Sequence, residues 1–269
     1  QRVKRMLTYV EGEAADEMPD FHGRMIDRAA FDAALASAAA AAGAQCRYGV
    51  GTLSIAADGT VRTTAGDDLR PRLLIGADGP RSRVARAIGI ANTEQVETRQ
   101  IAVRLRAPHD ATDIFLRADM TGGYGWLFPK GGVANLGVGV AWRARARLGP
   151  LLADLHRELI AAGRVGRAIL SRTGGPIPAG GRVKPHGRLG TTTVLLAGDA
   201  AGLANPITGA GIAAAVMSGR LAGESAARCL AGDDAAPETY DLELGAIFDA
   251  SLARALRRRA ELLERRREA

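Results

Sequence analysis

The chain has 269 residues, a formal net charge of +7, 47% hydrophobic and 24% charged residues. These are globular values, which exclude a disordered or collagen-like polymer and allow a sizeable core. No stretch approaches the roughly 18 uninterrupted apolar residues of a spanning helix. The two cysteines, Cys46 and Cys229, lie far apart and supply neither a disulfide framework nor a four-ligand zinc site, so the expectation is a reducing, cytoplasmic setting.

The charge is uneven. Seven arginines and three glutamates between Arg254 and Ala269 contribute +4 of the +7. This segment reads as a solvated terminal helix, with contact to anionic lipid or nucleic acid as the alternative. A peripheral membrane contact is retained from that alternative, and nucleic acid is not expected as a partner. The sequence opens at Gln1 without an initiating methionine or signal peptide, which raises the expectation of a fragment.

In chain order, Asp27 is placed to cap a helix over about 28–42, with Phe31 and Leu35 at helical spacing and Gly43 to close it. Segments 52–57 and 60–64 flank Asp58-Gly59 and read as a hairpin. Leu73-Leu74-Ile75 is a short apolar strand that breaks at Gly76-Ala77-Asp78-Gly79-Pro80, before a helix from near Ser82. Buried strand, glycine turn and helix form the grammar of an α/β nucleotide-binding layer.

From Gln100 to Trp142 apolar residues alternate with period two, which predicts an antiparallel sheet. An amphipathic helix follows over 148–162, then a glycine- and proline-rich connector over 174–187. Val194-Leu195-Leu196-Ala197 is a second buried strand, ending at Gly198-Asp199, and a small-residue helix follows over about 211–230. The segment after Pro237 reads as one or two helices, and no internal repeat is found.

Two strings carry chemistry. In 198–211, Asp199 stands at the end of a buried strand, where α/β folds bind ligands and where a carboxylate accepts from sugar or ribityl hydroxyls. Gly209 and Gly211 let backbone approach a planar ring, and the next helix turns its N-terminal amides toward it. The bland alternative is an aspartate that caps that helix. In 73–84, a strand again ends in a carboxylate and a glycine, Asp78-Gly79, with Arg81 and Arg83 able to reach phosphate or carboxylate groups. Alone, this string is an ordinary tight turn. His22, His109, His156 and His186 form no cluster and read as surface or packing residues, and no metal site is expected.

In this order the two strings resemble the second and third flavin fingerprints of the FAD enzymes that include aromatic-ring hydroxylases and geranylgeranyl reductases. Asp27-Arg28-Ala29-Ala30-Phe31-Asp32 resembles the arginine-bearing helix start that precedes them. The likeness covers roughly residues 25–230 and is finer to the geranylgeranyl reductase family. Its residues there are Tyr124-Gly125-Trp126-Leu127-Phe128-Pro129, Ala134-Asn135-Leu136-Gly137-Val138-Gly139, Asn205 to Ile212, and Ser218-Gly219-Arg220. Hydroxylases usually carry a histidine where this chain has Gly202. The first fingerprint, a Gly-x-Gly-x-x-Gly loop, has no counterpart before Asp27, nor has the family's cysteine and double-glycine motif, so roughly 80 to 100 residues are expected to be missing.

The resemblance implies an α/β fold: a Rossmann-like FAD-binding domain lacking its first βαβ unit, an inserted antiparallel β-sheet substrate domain, and C-terminal helices. The expected boundaries are 27–98 with 186–236 for FAD, 1–26 with 99–185 for substrate, and 237–269 for the helices. It implies that Arg28, Asp78, Gly79, Gly198, Asp199, Pro206, Gly209, Ala210 and Gly211 serve FAD, while Tyr124, Trp126 and Phe128 face an isoprenoid chain or simply build the sheet core.

The implied reaction is saturation of C=C bonds in a geranylgeranyl-type chain by hydride from reduced flavin, with NAD(P)H or ferredoxin as electron donor. No side chain announces itself as catalytic. A flavin monooxygenase acting on an aromatic ring, and a non-catalytic remnant that binds a membrane or partner through its basic tail, are the competing expectations.

Overall fold

The computed structural model describes residues 1–268, with side chains up to Glu264. In chain order, β1 (Arg2–Val3), β2 (Arg5–Val10), β3 (Asp16–Met18) and β4 (Gly23–Arg24) lead to α1 (Arg28–Ala41). Next come β5 (Thr52–Ile55), β6 (Val61–Thr63), β7 (Asp68–Leu69), β8 (Leu73–Gly76) and α2 (Arg83–Ala87). The strands β9 (Gln95–Leu105), β10 (Ala111–Leu116), β11 (Gly125–Lys130) and β12 (Val133–Ala141) precede α3 (Leu148–Ala161). Finally β13 (Val165–Pro178), β14 (His186–Leu189) and β15 (Thr192–Leu196) are followed by α4 (Ile212–Leu230) and α5 (Ala236–Glu268). The chain divides into two compact units, Gln1–Tyr48 with Glu97–Gly175, and Gly49–Val96 with the chain from Pro176 on. The helix at 28–41 therefore falls with the sheet, and the C-terminal helix with the other unit, which differs from the boundaries read from the sequence.

In the first unit, seven strands form a sheet in the order β13-β9-β12-β11-β10-β2-β3. Period-two alternation sorts its residues. Ile101, Val103, Leu127, Leu136, Val138 and Val140 point to one face and are buried. There they meet α3, whose Leu148, Leu151, Leu152, Leu155 and Leu159 recur at the three-and-four spacing of one helical stripe. Each such side chain contributes roughly 1.5–3 kcal/mol on burial. Asp113, on the same face of β10, is fully buried and is balanced by an ion pair with Arg164 and by His109 Nε2 at 2.9 Å.

Two features depart from the sequence reading. The sheet is mixed, because β2 pairs with β10 in parallel; residues about a hundred positions apart meet there, and parallel pairing demands such a long return. The glycine- and proline-rich connector at 174–187 is in its first part a strand: β13 runs on through Gly174 and Gly175, both in extended backbone. Gly174 is needed for closeness, since a Cβ there would run into the Thr98 carbonyl oxygen of β9.

In the second unit, β8 and β15 lie side by side in parallel, with β14 antiparallel on the far side of β15. β15 buries Val194, Leu195 and Leu196 on both faces, as such strands do, whereas β8 lies at the edge of this sheet with Ile75 exposed. The helices α2, α4 and α5 and the sheet share one core, which includes Val84, Val194, Leu195, Leu196, Leu221, Tyr240, Leu244 and Leu252. The hairpin β5–β6 turns at Gly59 with φ +88°, and the Asp58 carboxylate accepts from the Thr60 amide. One helix, α5, occupies the stretch expected to hold one or two.

Candidate functional site

Leu196 of β15 pairs with Gly76 of β8. Asp78 and Asp199 therefore follow the C-terminal ends of two adjacent parallel strands and emerge at the same edge. That is the place where open α/β sheets bind ligands. Gly76 lets α2 pack down on the strand, since a Cβ there would press on Val84 of α2 and on the Leu196 side chain.

The Asp78 carboxylate accepts from Ser82 Oγ at 2.5 Å, the Arg83 amide at 2.6 Å and the Val84 amide at 3.3 Å. It holds down the start of α2, with Ser82 as the N-cap. Gly79 takes φ +81° with open space where a Cβ would sit. Arg83 is committed to the carbonyls of Thr52 and Leu53, at 2.6 and 2.7 Å, and Arg86 to those of Arg81 and Ser82.

The Asp199 turn is held by other groups. Gly198, at φ +59°, donates its amide to Ser218 Oγ of α4 at 2.9 Å. Asn92 Nδ2 donates to the Asp199 carbonyl at 3.0 Å. Tyr240 of α5, fully buried, donates its hydroxyl to the Leu196 carbonyl at 2.7 Å, and burial pushes that phenol well above its ordinary range. Gly202 takes φ +72°, and a Cβ there would run into the Gly181 carbonyl and stand 2.9 Å from Asn92 Oδ1. A histidine cannot occupy that position in this backbone.

The loop beyond is closed on itself. Asn205 Oδ1 accepts from the amides of Ile207 and Thr208, each at 3.0 Å, the Asn205 carbonyl accepts from Gly209, and the Asn205 amide donates to Ala210. Pro206 is buried, and Gly209 turns at φ +69°. Gly211 begins α4 without a side-chain cap, and a Cβ on it would lie 3.1 Å from Asp199 Oδ1. The carboxylate thus lies close to the start of a 19-residue helix.

In the first unit, Tyr124, Trp126 and Phe128 form a row on the sheet face opposite α3. The rings of Tyr124 and Trp126 lie 5.8 Å apart edge-on, and those of Trp126 and Phe128 6.0 Å apart and stacked. They are half-buried, whereas the intervening Gly125, Leu127 and Pro129 are buried. The row is thus a separate apolar face and not the α3 core. The indole of Trp126 lies over Gly137 of β12, where a Cβ would run into it, and donates to Gln100 Oε1 of β9 at 3.0 Å. Burial pushes the Tyr124 phenol up to about 12.

Arg28, in the same unit, is exposed on the first turn of α1 and paired with Asp32 at 3.1 Å. The structure thus brings Asp78, Gly79, Gly198, Asp199, Gly209, Ala210 and Gly211 to one end of a parallel pair, and gathers the aromatics in a row of their own. Among the described residues no cluster of His, Cys, Asp and Glu is placed to hold a metal ion.

Sequence reasoning missed Asn92, Tyr240 and Arg259. The last donates Nη1 to the Pro206 carbonyl at 3.2 Å. The only available signal for Tyr240 and Arg259 was the apolar spacing along α5, obscured by the arginine run around it.

A carboxylate beside a helix start, at the edge of a parallel strand pair, suits the hydroxylated arm of a flavin. The family model described as an FAD binding domain matches residues 20–142. The chain is 32% identical over 226 residues to the digeranylgeranylglycerophospholipid reductase of Methanosarcina mazei, covering 79% of this chain and 55% of that protein. With the enzyme of the same name numbered 2 from Methanopyrus kandleri it is 33% identical over 251 residues, covering 86% and 62%.

Among solved structures, a geranylgeranyl bacteriochlorophyll reductase-like protein from Thermoplasma acidophilum superposes with a TM-score of 0.84 at 25% identity, covering 98% of this chain and 72% of that one. A probable FAD-dependent monooxygenase from Pseudomonas aeruginosa shares the fold at a TM-score of 0.66 and 21% identity, covering 99% and 80%. The fold is that of the FAD-binding α/β class. Within that class, the chain is similar to members of the geranylgeranyl reductase family, and it spans little more than half the length of the curated relatives it matches.

Proposed function

We propose that this chain is the ring-facing and substrate-facing part of an FAD-dependent reductase that saturates C=C bonds in the isoprenoid chains of a lipid, with electrons from NAD(P)H or ferredoxin. The observation that carries this reading is the parallel register of β8 and β15, which delivers Asp78 and Asp199 to one edge. FAD, when bound, supplies hydride chemistry suited to an alkene.

The residues have separate tasks. Asp199 accepts from the ribityl hydroxyls. Asp78 organises the strand end by fixing α2, with Gly79 giving the turn its left-handed step. Gly198, Pro206, Gly209, Ala210 and Gly211 form the surface under the ring, and Arg28 binds the cofactor's ribityl or pyrophosphate portion. Tyr124, Trp126 and Phe128 contact the isoprenoid chain and exclude water from it, which an unactivated double bond requires. The tight fit of Gly202 disfavours the hydroxylase reading, whose usual histidine has no room there.

We further propose a peripheral membrane contact through exposed Arg254, Arg257 and Arg258. FAD titration of the chain, and of a form extended at its N-terminus to the length of the curated relatives, tests the cofactor assignment: quenching of flavin fluorescence by the longer form, lost in Asp199→Ala, is the expected result. Absence of yellow protein from every form overturns it.

A further inference from the structure

The C-terminal helix reads in the sequence as a solvated basic segment, yet one of its faces is built into the second unit. Tyr240, Leu244, Phe248, Leu252, Ala255 and Leu256 recur every three or four residues, and most of them are buried. The next position on that face is Arg259. Burial lowers the pKa of its guanidinium from the ordinary value, and Glu94 acts in the opposite direction. Burying part of an arginine is costly, and here Nη1 donates to the Pro206 carbonyl at 3.2 Å.

One turn earlier, Leu256 packs where a Cβ on Gly181 would stand, and the Gly181 carbonyl in turn abuts Gly202. The same helix touches the base of the segment through Tyr240 and the Leu196 carbonyl. It therefore grips residues 196–206 at both ends, with contacts 19 positions apart on α5, about 28 Å at the rise of an α-helix.

We infer that Arg259 is a positioning residue for the Asn205–Gly211 loop, fixing the Pro206 carbonyl and with it the surface that the loop offers to the flavin ring. The inference rests on the functional reading above for the ring, and on the geometry alone for the loop. Its neighbours Arg254, Arg257 and Arg258 are exposed and have no such part. Truncation at residue 254 therefore removes a structural contact along with the basic surface, and the lipid contact is tested instead by Arg254→Glu, Arg257→Glu and Arg258→Glu together.

The amides of Ile207, Thr208 and Gly209 report on the loop, since each is bonded to Asn205. In the 269-residue chain, Arg259→Met is expected to speed their hydrogen exchange roughly tenfold while exchange in β15 stays unchanged, and Arg259→Lys is expected to recover at least half of the loss. Unchanged loop exchange in Arg259→Met overturns the inference. So does an acceleration spread equally over β15 and α4, which marks a general stability effect.

A flavin arm separates the two claims. Where the unsubstituted protein binds FAD, Arg259→Met is expected to weaken it and to shift the visible absorption bands of the bound flavin, and identical affinity and spectrum overturn the ring-facing part. A protein that binds no flavin in any form removes the functional reading, while the exchange result still decides whether Arg259 holds the loop.

Discussion

The two strand ends share a grammar, an apolar strand followed by glycine and aspartate, and use it differently. At Asp78 the carboxylate itself builds the turn, with three donors from Ser82, Arg83 and Val84. At Asp199 the turn is built by Ser218, Asn92 and Tyr240 through backbone groups, and the carboxylate is turned toward the start of α4. A motif fixes where a carboxylate stands, and the surroundings decide which groups hold the turn.

The sharpest break between the ends is at their left-handed glycines. Gly202→Ala combines positive φ with a collision against the Gly181 carbonyl, and a loss of about 3 kcal/mol or more in urea denaturation is expected. Gly79→Ala has open space and incurs only the backbone strain, about 1–2 kcal/mol. Equal losses would mean that the two turns are equally open and would erase the distinction.

Next in size is the exchange of roles between the carboxylates. Asp78→Ala removes the acceptor for two helix amides and a hydroxyl, and a destabilisation of about 2 kcal/mol is expected. Asp199→Ala is expected to lower flavin affinity roughly tenfold or more, read by fluorescence titration. Unchanged flavin affinity in Asp199→Ala would refute the assignment of ligand binding to that carboxylate. Ser218→Ala leaves the Gly198 amide buried without its acceptor, which is expected to cost about 1–2 kcal/mol.

Much of this was legible in the sequence. The strands at 73–76 and 192–196, the capped helix at Asp27 and the helices at 148–161 and 212–230 follow from apolar runs and capping residues whose signals are local. The resemblance assigns the two aspartates to one site, and the parallel pairing of β8 and β15 puts them at one sheet edge. What was not legible depends on partners distant in sequence. Gly174 and Gly175 look like a linker because glycine breaks strands locally, and only the approach of β9 makes them part of one. The pairing of β2 with β10 is set by register across the sheet, which no local pattern encodes. Arg259 looks like its neighbours, and only the helix face it shares with Tyr240 and Leu252 separates it from them.

The smallest expected effect is one of pH, and it concerns the Asp199 end alone. Arg182 follows the Gly180-Gly181 pair that abuts Gly202, and it is bonded to Asp249 of α5 at 2.7 and 2.8 Å as well as to Asp241. The guanidinium holds the Asp249 carboxyl below its ordinary value. A carboxyl whose folded pKa is depressed contributes stability that is fully present above its unfolded pKa, near 4, and is lost as the pH falls through the folded value. Half of the Asp249 side chain is exposed, so screening keeps the contribution under about 1 kcal/mol. Between pH 5 and pH 3 the stability of Asp249→Asn is therefore expected to fall less steeply than that of the unsubstituted chain, by that amount, in urea titrations at fixed ionic strength. Parallel pH profiles would show that the pair carries no charge-linked stability, and that the support behind Gly202 comes from packing of Gly181 and Leu256 alone.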